Sequence, residues 1–202
     1  MKVTNLEKKR KYLTALYIDH EYAMELDTRV LEENRITAGT ELDDEKLRSL
    51  ISESQLRRAK EKALWLISYR DHSSKELFDK LSKDYSEEVS EATVQRMQEL
   101  RLINDEAYAR KLSKDLHSKH QSPSNIRYKL IQKGIDKEEA ECIVEELEID
   151  PVCEICALIE KKYVNKISDE KGLRRTVAAL QRAGFRWSDI KSALSRYSED
   201  NF

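Results

Sequence analysis

The pattern Leu130-x-x-x-Gly134-Ile135 recurs fifty residues later as Leu180-x-x-x-Gly184-Phe185. Counting from each glycine, positions six, nine and ten are apolar in both copies: Ala140, Ile143 and Val144, then Ile190, Ala193 and Leu194. Steps of three and four residues are the period of a helix face, and glycine is the residue that lets a helix end in a left-handed turn. Each copy therefore predicts helix, turn, helix. A weaker third copy lies upstream, where Leu77 and Leu81 take the places of Ile126 and Leu130, and Asp84-Tyr85 replaces Gly-Ile in a turn one residue shorter. Another apolar-periodic stretch precedes each copy: Ala63 to Tyr69, Tyr108 to Leu116 and Val152 to Tyr163. The repeating unit is three helices.

Local punctuation agrees. Ser73-x-x-Glu76 is a capping box and Asp136-x-x-Glu139 an acidic relative of it. Ser122-Pro123 and Asp150-Pro151 set an N-cap residue before proline at the first helical position, where the missing amide costs nothing. Short polar links, "YRDHS", "SKHQSP" and "VNKISDEKG", separate the first two helices of each unit. Four glycines and two prolines in 202 residues leave few breakers, and 38% charged residues supply solvated helix faces.

The first 58 residues follow another pattern. "KYLTALYIDHEYAMELD" alternates in part, is rich in tyrosine and offers Asp19-His20 as a hairpin turn. "TRVLEENR" predicts a short helix, and "LDDEKLRSLISESQLRRAKEKALWLISYR" one or two helices leading into the first unit. The expected fold is mainly α: an N-terminal extension over 1–58 with a small β-hairpin and short helices, then three-helix repeats over 59–103, 104–149 and 150–202. No apolar run approaches membrane-spanning length and the first residues lack the apolar core of a secretory signal. A soluble, cytoplasmic chain with its three cysteines as free thiols is expected.

Read together, "YRDHSSKELFDKL", "LRLINDEAYARKL" and "SPSNIRYKLIQKGI" resemble the RecX family of regulatory proteins. The matching positions are Arg70, Ser73, Glu76-Leu77, Lys80-Leu81, Leu102, Asp105, Tyr108-Ala109, Pro123, Ile126, Leu130 and Lys133-Gly134-Ile135, spread over residues 60 to 147. Two positions depart from the family pattern: Asp84 stands at the first turn where glycine is usual, and Gln121-Ser122 where a glycine often precedes the proline. The resemblance implies three tandem three-helix units in an elongated, curved array. It also implies a regulator that binds the RecA recombinase and RecA–single-stranded-DNA filaments, restraining filament growth, ATP hydrolysis and strand exchange. No cofactor and no catalytic residue is expected.

Net charge is only −2, so the chain as a whole has no long-range pull on nucleic acid. The charge is unevenly placed. Residues 107–134 hold seven Lys/Arg against Asp115 alone, residues 135–150 hold Lys137 against eight acids, and residues 157–197 hold ten basic against four acidic residues. The basic stretches nominate Arg110, Lys111, Lys114, Lys119, Arg127, Lys129, Lys133, Arg174, Arg175, Arg182 and Arg186 as contacts to a partner or to DNA phosphates. The same residues would also serve a solvated helix surface. A stand-alone DNA-binding helical-repeat protein is the alternative to a RecA-directed regulator, and a helical adaptor for another partner is a third.

Catalytic signatures are missing. Cys153-x-x-Cys156 lacks further zinc ligands nearby and lacks the βαβ setting of a redox pair, so both cysteines are expected on a buried helix face. His117 and His120 sit among basic and polar neighbours and are expected at the surface. Trp65, Phe78, Tyr85, Tyr108, Tyr128, Phe185 and Trp187 recur at helix-face or turn positions, which favours core packing over base stacking.

Overall fold

The structure, a computed structural model, describes residues 1–199 apart from Lys11 and Ser168. It divides into two compact units, Met1–Ile103 and Asn104–Phe202.

The first unit begins with an antiparallel sheet of three strands in sequence order: β1 (Val3–Arg10), β2 (Leu13–Ile18) and β3 (Glu21–Asp27). The expected hairpin is β2–β3. Asp19 and His20 take φ of 49° and 70°, the paired left-handed residues of a two-residue turn whose twist matches that of the strands. Strand β1 is an addition to that expectation. It buries Val3 and half-buries Leu6, but Glu7, Lys8 and Arg10 run exposed along the sheet edge. Such charges guard an edge against foreign strands, and they also erase the alternation that marks a strand in sequence. Helix α1 (Thr28–Glu33) follows, capped by the buried carboxylate of Asp27, which accepts from the amides of Arg29 and Val30. Val3, Leu16, Leu26, Val30, Leu31, Ile36, Leu42 and Leu50 form the core beneath this sheet.

The stretch expected to make one or two helices is a single helix, α2 (Asp44–Tyr69), capped by Asp43. It passes straight through residue 58 and serves two cores. Leu50 belongs to the sheet cluster, while Ala63 and Leu66 pack with Leu77, Leu81, Val94, Met97 and Ile103. The second cluster is completed by α3 (Ser74–Leu81) and α4 (Glu87–Glu99). Ser73 Oγ accepts from the Glu76 amide at 3.1 Å, as the capping box requires, and the Glu76 carboxylate receives Arg70 Nη1 at 3.1 Å. At the turn without glycine, the Tyr85 amide donates to Leu81 O at 3.1 Å. That is one residue shorter than the corresponding bonds in the other copies and needs no left-handed residue, so Asp84 is tolerated.

His72, just before that cap, is buried, and its neutral ring sits 2.9 Å from the Arg70 carbonyl. Burial holds its pKa below the usual imidazole value. A depressed pKa means that the unfolded chain takes up a proton first, so the contribution of His72 is fully present above about pH 6.5 and is lost as pH falls through the folded value. Denaturant titrations of the full chain should show the stability of the first unit falling across the histidine range. His72→Gln should flatten that fall; an identical pH profile in the variant would exclude His72 as its source.

The second unit contains α5 (Asp105–His117), α6 (Pro123–Gln132), α7 (Lys137–Glu145), α8 (Pro151–Leu158), α9 (Glu170–Arg182) and α10 (Trp187–Glu199). Ser122 and Asp150 cap α6 and α8 with proline at the first position, and Asp136 caps α7. Gly134 and Gly184 adopt φ of 87° and 85°, which lets the amides of Ile135 and Phe185 each reach back 3.2 Å to the carbonyls of Leu130 and Leu180. Helices α5–α7 enclose Ala109, Leu116, Ile126, Leu130, Ile135, Ala140, Ile143 and Val144; the last three helices enclose Ile155, Leu158, Ile159, Leu180, Phe185, Ile190 and Ala193. The chain is thus mainly α, with three three-helix groups and a small sheet at the start. One helix departs from expectation. The segment from Val152 to Tyr163 is α-helical only to Leu158, then widens into a π turn over Ile159–Tyr163 and tightens into a 3₁₀ turn over Val164–Lys166. Of the link that follows, Ser168 lies outside the described residues.

Candidate basic interface

The nominated cations do not behave alike. Arg110 on α5 donates from Nε to Glu106 at 3.1 Å and engages Glu146, the C-cap of α7, with both terminal nitrogens. The hydrogen bonds with Glu146 and Glu106 raise the Arg110 pKa still further, and the Arg110 hydrogen bond lowers that of Glu146. Arg127 on α6 is paired with Glu141 on α7. Both guanidiniums tie neighbouring helices together, so the acidic stretch 135–150 neutralises part of the basic stretch before it. Lys129 is half-buried beside Gln121 Oε1 at 3.4 Å, and Lys133 is half-buried at the end of α6. Lys111, Lys114 and Lys119 are exposed.

The third helical group keeps more of its charge in solvent. On α9, Lys171, Arg174, Arg175, Ala178, Gln181 and Arg182 are all exposed. Their steps of three and four residues place them on one face, opposite the side that buries Thr176 and Leu180. The Arg174–Glu170 pair spans one turn with both side chains 78% exposed, so it neutralises little. Arg186, in the turn to α10, is exposed as well. Lys171 completes this face and was not among the nominated cations; its spacing from Arg174 and Arg175 is the signal that marks it.

Three expectations change. His117 and His120 are not simple surface groups: His117 Nε2 lies 3.1 Å and His120 Nδ1 2.7 Å from the two oxygens of Glu154, whose side chain is only 16% exposed. They fasten the end of α5 to α8. Removing that carboxylate in Glu154→Ala leaves two ring nitrogens without their acceptor and should cost about 1–3 kcal/mol. Urea unfolding followed by Trp187 fluorescence in a Trp65→Phe background is the check, and an unchanged midpoint would deny the clasp any weight. The cysteines also differ. Cys153 is exposed, its thiol donating to Asp150 Oδ2 at 3.1 Å, while Cys156 is half-buried against the last core. The start of α8 lies at the surface, so the predicted buried face begins only with Ile155 and Cys156. Bonding to Asp150 and that carboxylate's charge push the Cys153 thiol up, away from the reactive thiolate. All three cysteines are free, and among the described residues no group of His, Cys, Asp or Glu is arranged to hold a metal ion. No helix among them is long and apolar enough to cross a membrane.

The aromatics divide. Phe185 is buried, and Phe78, Tyr85 and Tyr108 pack against their cores, but Trp65, Tyr128 and Trp187 are 57%, 59% and 54% exposed. Trp65 meets Tyr69 edge-on at 4.7 Å between ring centroids on the outer face of α2. Helical spacing cannot distinguish an inner from an outer aromatic where the polar face is narrow, and α2 carries large apolar side chains at 64 through 67 in succession.

Comparison with known proteins places these three-helix groups. Residues 59–97 match the family model for the RecX first three-helix domain, and residues 104–142 that for the RecX second three-helix domain. The chain belongs to the RecX family. A Regulatory protein RecX from Clostridium tetani is 29% identical over 206 residues, covering 96% of this chain and 94% of the relative. Another from Clostridium beijerinckii is 31% identical over 140 residues, covering 68% and 65% of the two chains. Among solved structures, RecX from Lactobacillus salivarius superposes with a TM-score of 0.59 at 26% identity, covering 70% of this chain and 96% of that one. A crystal structure of regulatory protein RecX, at 24% identity, covers 96% and 98% with a TM-score of 0.65 and supports the fold. The third helical group lies beyond the two matched RecX domains, so its relation to them rests on the repeat in sequence and on the full-length similarity to the C. tetani protein.

Proposed function

We propose that this RecX-family chain is a non-enzymatic regulator of RecA, binding RecA–single-stranded-DNA filaments and reducing their ATPase and strand-exchange activity. The observation that carries the reading is family membership over the two matched domains, with relatives named regulatory proteins along nearly the whole chain. The basic face of α9 supports it physically, because a nucleoprotein filament displays phosphates that favour such a face. Contact with RecA comes from surface complementarity, and DNA contact is accessory to it.

The test is the single-strand-DNA-dependent ATPase of RecA from the same organism, titrated with this protein at several salt concentrations. Inhibition well below one copy per RecA subunit is expected, since capping or insertion acts on a whole filament. No effect where filaments demonstrably form would end this reading. Tight DNA binding without RecA, weakening steeply with salt, would instead favour a stand-alone DNA-binding protein.

A further inference from the structure

The first helical group turns apolar side chains outward at one place. Upstream on α2 the exposed positions are polar, Arg48, Ser52, Gln55 and Glu61 among them, but Leu64, Trp65 and Tyr69 are 47%, 57% and 73% exposed. Their steps of one and four residues set them on the side away from buried Ala59, Ala63 and Leu66. On α5, buried Ala109, Ser113 and Leu116 repeat that spacing fifty residues later. In this register Lys114, Asp115 and Lys119 take the places of Leu64, Trp65 and Tyr69, and all three are exposed. The second helical group therefore carries charge at the positions that the first leaves apolar. Helix propensity gives no local reason for the difference, since tryptophan and tyrosine favour a helix less than lysine does.

Two more apolar side chains lie at the same end of the group. Gln98 Nε2 donates to Ser74 Oγ at 2.8 Å, which sets the end of α4 beside the start of α3 and hence near the end of α2. Leu100 and Leu102, just past α4, are 47% and 43% exposed. Single exposed apolar residues are ordinary on a protein surface, but several gathered at one end of a helical group mark a contact surface. Tryptophan and tyrosine are the side chains that most often carry binding energy at interfaces. The edge-on packing of Trp65 and Tyr69 at 4.7 Å orders both rings before a partner arrives, so little freedom is lost on docking.

The charges around this end select the partner. Lys62, Arg70 and Arg96 are engaged by the carboxylates of Asp84, Glu76 and Glu99. Exposed Glu61 and Arg101 add one charge of each sign. A phosphate chain would find little net attraction here, whereas an apolar protein groove of low charge is complementary to such a surface. We propose that Leu64, Trp65 and Tyr69 dock into an apolar groove on a RecA subunit, with Leu100 and Leu102 at the margin of the contact. This docking rests on the regulatory reading, and it gives the protein contact to the first helical group while the basic face of α9 is left for phosphates.

The full chain and its Trp65→Ala/Tyr69→Ala variant would be titrated onto RecA–single-stranded-DNA filaments at low and at high salt, after circular dichroism and urea unfolding have shown the fold unchanged. The variant should bind about tenfold or more weakly at both salt concentrations, the loss expected for two aromatic anchors of an apolar contact. Leu64→Lys/Trp65→Asp, which installs the side chains found at the matching positions of α5, should lose at least as much. Tyr128→Ala removes an exposed ring from the second helical group and should bind like the wild type. If the wild type binds and inhibits RecA but both double variants match it, this docking surface is overturned and the regulatory reading stands. If the wild type neither binds nor inhibits, both fall. Equal weakening by Tyr128→Ala also overturns the assignment to α2. Two other occupants would overturn it with signatures of their own. Loss of oligothymidylate affinity by the double variants without RecA would mean that bases stack on the rings, and a wild-type dimer in sedimentation equilibrium that the variants dissolve would mean that a second copy covers them.

Discussion

Arg174→Glu/Arg182→Glu is expected to raise the concentration needed to inhibit RecA by about tenfold or more, as reversal of charges at a complementary interface does. The two side chains project from the exposed face of α9, away from buried Leu180, so the substitution changes the field of that face without touching the core. Arg174 gives up only its exposed pair with Glu170. Arg182 loses its bond from Nε to the Ala178 carbonyl and gives way to an acid in the last turn of α9, so helix stability should fall by about 1 kcal/mol, which circular dichroism and urea unfolding would check. Lys8→Glu/Lys137→Glu, on exposed positions of β1 and α7, makes the same change in total charge elsewhere. If the α9 variant and this control inhibit like the wild type, the basic face of the third helical group is not the contact. If the α9 variant alone is weakened, and less so at high salt, the effect is local electrostatics.

Gly184→Ala should destabilise the second unit by about 2–4 kcal/mol, far more than Gly39→Ala costs the first. Both glycines have positive φ, 85° and 95°, so alanine brings left-handed strain at either place. At Gly39 a Cβ would meet nothing within 4 Å, and strain of about 1–2 kcal/mol is the whole effect. At Gly184 the Cβ would stand 2.7 Å from Ser122 Oγ. That hydroxyl is buried, donates to the Ala183 carbonyl at 2.7 Å and accepts from the Asn125 amide at 3.2 Å. Moving it loosens the cap of α6 and the tie between α6 and the α9–α10 turn together. Urea unfolding followed through Trp187, with Trp65 replaced by phenylalanine, reports on the second unit. Equal costs at the two glycines would show that Ser122 yields freely and that the tie carries no weight.

The glycine at residue 184 shows how far sequence reached. Leu-x-x-x-Gly-apolar predicted its conformation, because a helix end that returns an amide to the carbonyl five residues back needs a left-handed residue. Nothing in that pattern says that Ser122, sixty-two positions earlier, fills the space where a side chain would go. Asp84 is the complementary case: its lack of glycine is explained by a bond one residue shorter, visible only in the hydrogen bonding. The site followed the same division. Clustered charge nominated whole segments, yet within them Arg110 and Arg127 belong to pairs with Glu146 and Glu141, 36 and 14 residues away. Lys171, left out of the nominated set, shares the exposed face of α9 with Arg174 and Arg175.

Sequence alone therefore determined what depends on neighbours within a helical turn or two: the caps at Ser73, Ser122, Asp136 and Asp150, the left-handed glycines, the two-residue hairpin turn and the threefold helical pattern. These are set by local backbone chemistry and by the period of the apolar face, both written in consecutive residues. Tertiary structure decided what depends on groups far apart in the chain. It added β1 at the sheet edge, carried α2 through two cores, turned two histidines inward onto Glu154, and left Trp65, Tyr128 and Trp187 outside. A charge or a hydroxyl acquires its role from the partner that packing brings to it, and a linear pattern specifies the period of a face but not what stands opposite.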